Sequence, residues 1–130
     1  MMEAYGVSLV SLAAMAVLML VQVIVADVVG IARRHVPGTP TTPNHADLLF
    51  RASRVVGNTN ESIAIFLCAL LLCLFTQASP FYTGVAAWVY VVCRTAYAVC
   101  YYANLPTFRS AVFALSLVAL LAMIVVGLIA

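Results

Sequence analysis

Four apolar runs, each close to the length that crosses a bilayer, decide what this chain can fold into: about 5–31, 59–77, 82–104 and 108–130. A hydrocarbon core of ~30 Å takes about 20 helical residues at ~1.5 Å each. With 66% hydrophobic residues and a mean hydropathy of +1.16, the 130-residue chain leaves little for a separate soluble domain. The expected fold is all-α: a single domain over 1–130, an integral membrane bundle of four helices. Helix 2 is expected to begin upstream of its apolar run, at about 45, so the helices span about 5–31, 45–77, 82–104 and 108–130. The first run has no basic segment before it and is long for a cleaved secretory signal, so it reads as a retained helix.

The six cationic residues are all arginines, and the net charge is only +2. A polybasic surface for nucleic acid or acidic lipid is not expected. Arg33, Arg34, Arg51 and Arg54 flank the connection between runs 1 and 2, and Arg109 follows run 3, whereas 77–84 and the C-terminus carry no basic residue. The positive-inside rule therefore puts the basic loops in the cytoplasm and both termini outside. Cys68, Cys73, Cys93 and Cys100 lie inside the runs without a C-x-x-C spacing, which argues against metal or redox pairing and for small buried side chains.

Two polar stripes interrupt the apolar surface. At 100° per residue Arg51, Arg54, Asn58 and Glu61 fall at roughly 0°, −60°, −20° and −80° on helix 2, with Asp47 one turn earlier. On helix 3, Tyr90, Arg94, Tyr97 and Tyr101 fall at roughly −40°, 0°, −60° and −20°. An ionisable side chain at the bilayer centre costs at least ~2.5–3.5 kcal/mol, so such stripes face protein or a wet cavity. Glu61 and Arg94 are candidates to pair with each other, or alternatively to meet a ligand.

Asp27 is expected to face the bundle, either locking helix 1 to a neighbour or contacting a ligand. Arg33-Arg34-His35 ends helix 1, where cations suit the negative dipole end and lipid head groups. The proline-rich stretch 36–43 is the one long loop. Asn44 is the expected N-cap of helix 2, and Thr107 that of helix 4. Arg109, in the first turn of helix 4, adds its guanidinium to a helix N-terminus, a combination that stabilises an anion or thiolate; the alternative is snorkelling to head groups.

The pattern Arg54-x-x-x-Asn58-x-x-Glu61 on helix 2, Arg94-x-x-Tyr97-x-x-x-Tyr101 on helix 3 and Arg109-Ser110 on helix 4 resembles the MAPEG family, the membrane-associated proteins of eicosanoid and glutathione metabolism. The resemblance covers the whole chain. It implies a homotrimer with glutathione as co-substrate, bound between neighbouring subunits in the cytoplasmic half of the membrane. Arg54, Asn58, Glu61, Arg94, Tyr97 and Tyr101 would hold the tripeptide, Arg33 or Arg34 would reach one of its carboxylates, and Arg109 would stabilise its thiolate. Val56 and Ser62 depart from the polar or aromatic contacts of some relatives, and the connection from Tyr101 to Arg109 differs by about one residue.

The expected function is a membrane glutathione transferase or peroxidase acting on lipophilic electrophiles. Two rivals stand beside it: a small proton-coupled exporter with Asp27 or Glu61 as carrier, and a non-catalytic binding member of the same fold. Among arginines, Glu61 would be held ionised, which disfavours it as a proton carrier.

Overall fold

A computed structural model describes residues 2–130. A 3₁₀ turn, Met2–Tyr5, leads into α1 (Gly6–Ala32), followed by α2 (Leu48–Phe75), α3 (Pro80–Tyr102) and α4 (Pro106–Leu128). All four helices are long and apolar enough to cross a membrane. They run up and down. At one end the Tyr5 hydroxyl donates to Ala78 O, and Trp88 Nε1 donates to Val7 O at 3.1 Å. At the other end Arg33 pairs with Asp47 at 3.0 Å, and Arg51 Nη2 donates to Tyr102 O at 3.3 Å. All six arginines except Arg94 belong to this second end, hereafter the arginine end.

The helices start and stop for identifiable reasons. The N-cap of α2 is Asp47, whose Oδ1 accepts from Leu49 N at 3.1 Å, not Asn44 as the sequence suggested. Asn44 instead closes its own turn, Oδ1 accepting from Ala46 N at 3.0 Å, so the helix begins three residues later than expected. Its 28 residues span roughly 42 Å, still longer than the hydrocarbon core. In α4, Thr107 is already helical; Leu105 is the cap and Pro106 takes the first helical position, where a missing N–H costs nothing. Pro80 opens α3 in the same way.

Helices α1, α2 and α3 end in one shared motif. Arg34, Gln77 and Asn104 adopt left-handed φ values of 53°, 54° and 57°. The next residue's N–H then reaches back to the last turn: His35 to Gly30 O, Ala78 to Cys73 O and Leu105 to Cys100 O, at 2.9, 2.9 and 2.8 Å. This is the Schellman arrangement, made here without glycine.

The bundle interior is layered. Phe66 stacks on Tyr90 with centroids 4.7 Å apart, in a cluster with Met15, Leu70, Leu120 and Met123. The outer faces carry exposed Val17, Leu20, Leu121 and Leu128, as lipid contact requires. Asp27 is also on the outside, contrary to the expectation that it faces the bundle. Cys73 and Cys93 are buried as expected, but Cys68 is exposed.

Helices α2 and α4 are in tight contact at Gly127, where a Cβ would stand 2.8 Å from Leu72 Cγ and 3.3 Å from Cys73 Sγ. Gly127→Ala should destabilise the bundle by about 1–3 kcal/mol through overpacking. Gly6→Ala, with open space around its Cβ, should not. Thermal melts of the two variants in detergent check this: the first midpoint falls, and the second stays at or above wild type.

Candidate functional site

Construction of the site begins with Arg94, which is fully buried in mid-α3. The expected Glu61–Arg94 ion pair does not form. Glu61 is exposed and lies 3.9 Å from Arg54, whereas Arg94 Nη2 donates to Thr59 Oγ1 at 3.1 Å. The two stripe residues diverge because Glu61 is on the outer flank of α2 while Thr59, about 100° round the helix from Asn58, faces α3. The Arg94 guanidinium also sits 4.4 Å above the Tyr97 ring. One turn deeper, Tyr90 and Ser62 share a hydrogen bond of 2.8 Å, continuing this polar seam between α2 and α3.

Tyr97, fixed from below by Arg94, meets Tyr101 edge to face at 5.5 Å and Phe113 of α4 at 5.9 Å. Tyr101 in turn carries Arg109, whose guanidinium lies 4.4 Å over its ring. The Tyr101 hydroxyl is 3.2 Å from His45 Nε2, and the two rings stack with centroids 6.0 Å apart. His45 is itself held in place, because Arg51 Nη1 donates to its carbonyl at 2.6 Å while Nη2 reaches Tyr102 O. Arg51 thus ties the proline-rich loop to the end of α3 from within one protomer.

A cavity of about 190 Å³ opens where these elements converge, lined by Asn58, Tyr97, Arg109, Ser110 and Phe113. Two of its polar atoms are buried without any hydrogen bond among the described residues: Asn58 Oδ1, an acceptor, and Arg109 Nη1, a cationic donor. Buried polar atoms in folded proteins are nearly always paired, so two orphans in one cavity mark a place for a polar ligand. The pair asks for a molecule that offers an N–H on one side and negative charge on the other.

Of the residues expected at the site, Asn58, Tyr97 and Arg109 line this cavity, and Tyr101 is one contact behind it. Arg54 and Glu61 flank it on the exposed side of α2. Arg94 lies beneath Tyr97. Arg33 and Arg34 are not brought to the cavity in the protomer: Arg33 is engaged with Asp47, and Arg34 occupies the left-handed turn that ends α1. Sequence reasoning missed Thr59 and His45. Thr59 lies off the polar stripe, and His45 lies in a loop with no periodicity to read.

Four membrane-capable helices with a half-buried arginine opening the fourth define a class: a polytopic helical membrane protein with a small arginine-lined cavity at one end of its bundle. The family model for the MAPEG family matches residues 8–129, and the chain belongs to that family. A search of curated proteins and of solved structures returned no match.

The Arg94–Thr59 contact yields a prediction. Thr59→Val should destabilise the protein by about 1–3 kcal/mol, since it strips the buried guanidinium of its hydrogen-bonded acceptor. Arg94→Met should cost less, and adding Thr59→Val to it should cost almost nothing further. A double-mutant cycle by detergent denaturation measures the coupling; additive losses would mean that the two side chains do not depend on each other.

Proposed function

We propose that the protein is a glutathione-dependent membrane enzyme that activates the glutathione thiol and delivers it to lipophilic electrophiles, as a transferase or as a hydroperoxide reductase. The observation that carries this reading is that Arg109 and Asn58, which each keep a buried polar atom without a hydrogen-bond partner, Nη1 and Oδ1, line one cavity. Membership of a family tied to glutathione supports the choice of thiol. The cavity accommodates the cysteinyl part of the tripeptide, with its backbone N–H on Asn58 and its sulfur on Arg109. The remaining charged groups extend over the open flank of α2, toward Arg54 and Glu61.

A free thiol with pKa ~8.5 is largely protonated at neutral pH. A guanidinium at the start of a helix, where the dipole adds positive potential, favours the thiolate and lowers that value. The thiol proton leaves to solvent through the open mouth. The thiolate sulfur then forms a bond to an electrophilic carbon, whose leaving group departs with its electron pair or whose double-bond pair moves onto a conjugated acceptor and is protonated by solvent. With a hydroperoxide it attacks the terminal oxygen and expels an alkoxide, becoming the sulfenic acid. Tyr101 keeps Arg109 in place through its ring, and His45 keeps Tyr101 in place through its hydroxyl.

In this reading Arg54 and Glu61, exposed on a membrane helix, are covered by a neighbouring subunit in a homotrimer, which also brings Arg33 or Arg34 to the tripeptide from the adjacent chain. The arginine end faces the cytoplasm, where the positive-inside rule puts it. Native mass spectrometry from mild detergent should give trimers; monomers or dimers alone would remove this part of the site.

Arg109→Ala is the decisive variant. It should assemble and bind glutathione, with the thiol pKa returned toward ~8.5 and turnover at neutral pH reduced ~10- to 100-fold. Higher pH should restore part of the loss. Ultraviolet absorbance of the bound thiolate against pH follows the shift directly. A variant with full thiolate signal and full activity would take Arg109 out of the mechanism, and wild-type protein that binds glutathione without forming thiolate would favour the non-catalytic reading. Glu61→Gln, by contrast, should weaken glutathione binding more than it slows the bound thiol, by ~10- to 150-fold if the carboxylate holds the ammonium group.

A further inference from the structure

A second cavity, about 490 Å³, opens beside the last turns of α1. Its walls are Ala26, Gly30 and Ile31 of α1, the loop residues His35, Pro37 and Thr39, and Leu49 at the start of α2. Asp27 is its one acidic group, and it shares no lining residue with the cavity at Arg109. The volume is within the range that takes a drug-sized molecule.

Asp27 lies six residues before Arg33, roughly 9 Å deeper along α1. Of the two acidic residues inside α1–α4, Asp27 and Glu61, it is the one without a cation in contact. Asp47 is paired with Arg33 and Glu61 with Arg54, whereas Asp27 makes no ion pair or hydrogen bond among the described residues. Arg33 is engaged by Asp47 and Arg51 by two backbone carbonyls, and Arg34, about two turns along the chain from Asp27, makes no ion pair with it. His35 does not pair with Asp27 either. Its Nε2 is turned to Thr39, 2.9 Å from the carbonyl oxygen. A carboxylate at this depth without an internal partner, beside a cavity lined by Ala26, Ile31 and Leu49 and also by His35, Thr39, Thr41 and Ser53, suits a cation with an apolar body.

We propose that this cavity binds a lipophilic organic monocation, such as a hydrophobic amine, with Asp27 as its counter-charge. The apolar body lies against Ala26, Ile31 and Leu49, and the charged centre faces the carboxylate. Gly30 keeps the space open: a Cβ there would meet only Leu49 Cδ1 at 3.8 Å, so a larger side chain is sterically admitted and would fill the cavity.

The experiment uses the full-length protein in a nonionic detergent, with tritiated tetraphenylphosphonium as the probe. Wild type should bind it saturably, with displacement by octylammonium and none by tetraphenylborate, which has the same shape and the opposite charge. Asp27→Asn should weaken binding about 10- to 100-fold, the range for loss of a charge-assisted contact. Asp27→Glu should retain it. Gly30→Leu should weaken it even though the carboxylate remains. Because Asp27 is exposed and unpaired, the Asp27→Asn melting midpoint should match wild type, which separates lost binding from lost fold. Three results overturn the proposal: equal binding by wild type and Asp27→Asn, oligomer dissociation in Asp27→Asn, which makes the residue a subunit contact, or an Asp27-dependent aminophospholipid that co-purifies and resists octylammonium.

Discussion

The buried guanidinium of Arg94 sets the terms for everything at the arginine end. A cation with no exposed surface and no carboxylate beside it depends on what the helices around it present, and they present Thr59, which accepts from Nη2, and the face of Tyr97, while Nε and Nη1 have no partner among the described residues. Both contacts restrict motion. Thr59 fixes the rotation of α2 against α3, which turns Asn58 toward the cavity, and Tyr97 becomes the floor on which Tyr101 and Phe113 rest. Arg109 then finds an aromatic ring at 4.4 Å and keeps one nitrogen free for a ligand. An apolar residue at position 94 would pack without difficulty, as buried ion replacements often do. It would leave Tyr97 and Thr59 without a reason to hold their positions.

A second constraint is external to the bundle. The loop 36–47 is long enough to wander, yet it is fastened at three points: Arg33 to Asp47, Arg51 to the carbonyl of His45, and His45 to Tyr101. Asp47 performs two tasks with one carboxylate oxygen, capping α2 and pairing with Arg33 across the loop. The fastening explains why a loop with three prolines in its first eight residues still delivers a histidine to the edge of the site. Proline reduces the freedom of the unfolded loop, and the arginine contacts select one of the conformations that remain.

Much of this was legible in the residues. Hydropathy alone marks four helices, because in lipid the chain has few other ways to satisfy its backbone. The stripe rule brought Asn58 and Tyr97 forward and the position at the start of helix 4 brought Arg109, and these three line one cavity. What it misjudged was the partner of each charge. A helical wheel gives direction but not which neighbouring helix stands there, so Glu61 and Arg94 looked complementary although one points to the outer flank and the other to the interior. Caps were misjudged for a similar reason. Asn44 and Thr107 are both good capping residues, and the choice between candidates a turn apart was made by tertiary contacts, the Arg33 pair at Asp47 and the ring of Pro106. His45 and Thr59 could not be singled out, since neither a loop histidine nor a lone threonine has a periodicity that announces its role.

The arrangement of charge across the arginine end has a consequence for how two ligands could coexist there. Arg109 and the start of α4 create positive potential in one cavity, and Asp27 creates negative potential in the other. In a low-dielectric setting, each repels the ligand suited to its neighbour far more strongly than it would in water. Under the two proposals made above, an anionic thiol and a lipophilic cation would therefore sort themselves without any shared residue having to discriminate between them. Under the proposed function, their separation would also keep the uncompensated carboxylate away from a thiolate it would otherwise destabilise. Had Asp27 faced the bundle interior instead, its charge would have been drawn toward Arg94, Thr59 would have lost its donor, and the packing that aims Asn58 and Tyr97 at the cavity would have lost its anchor.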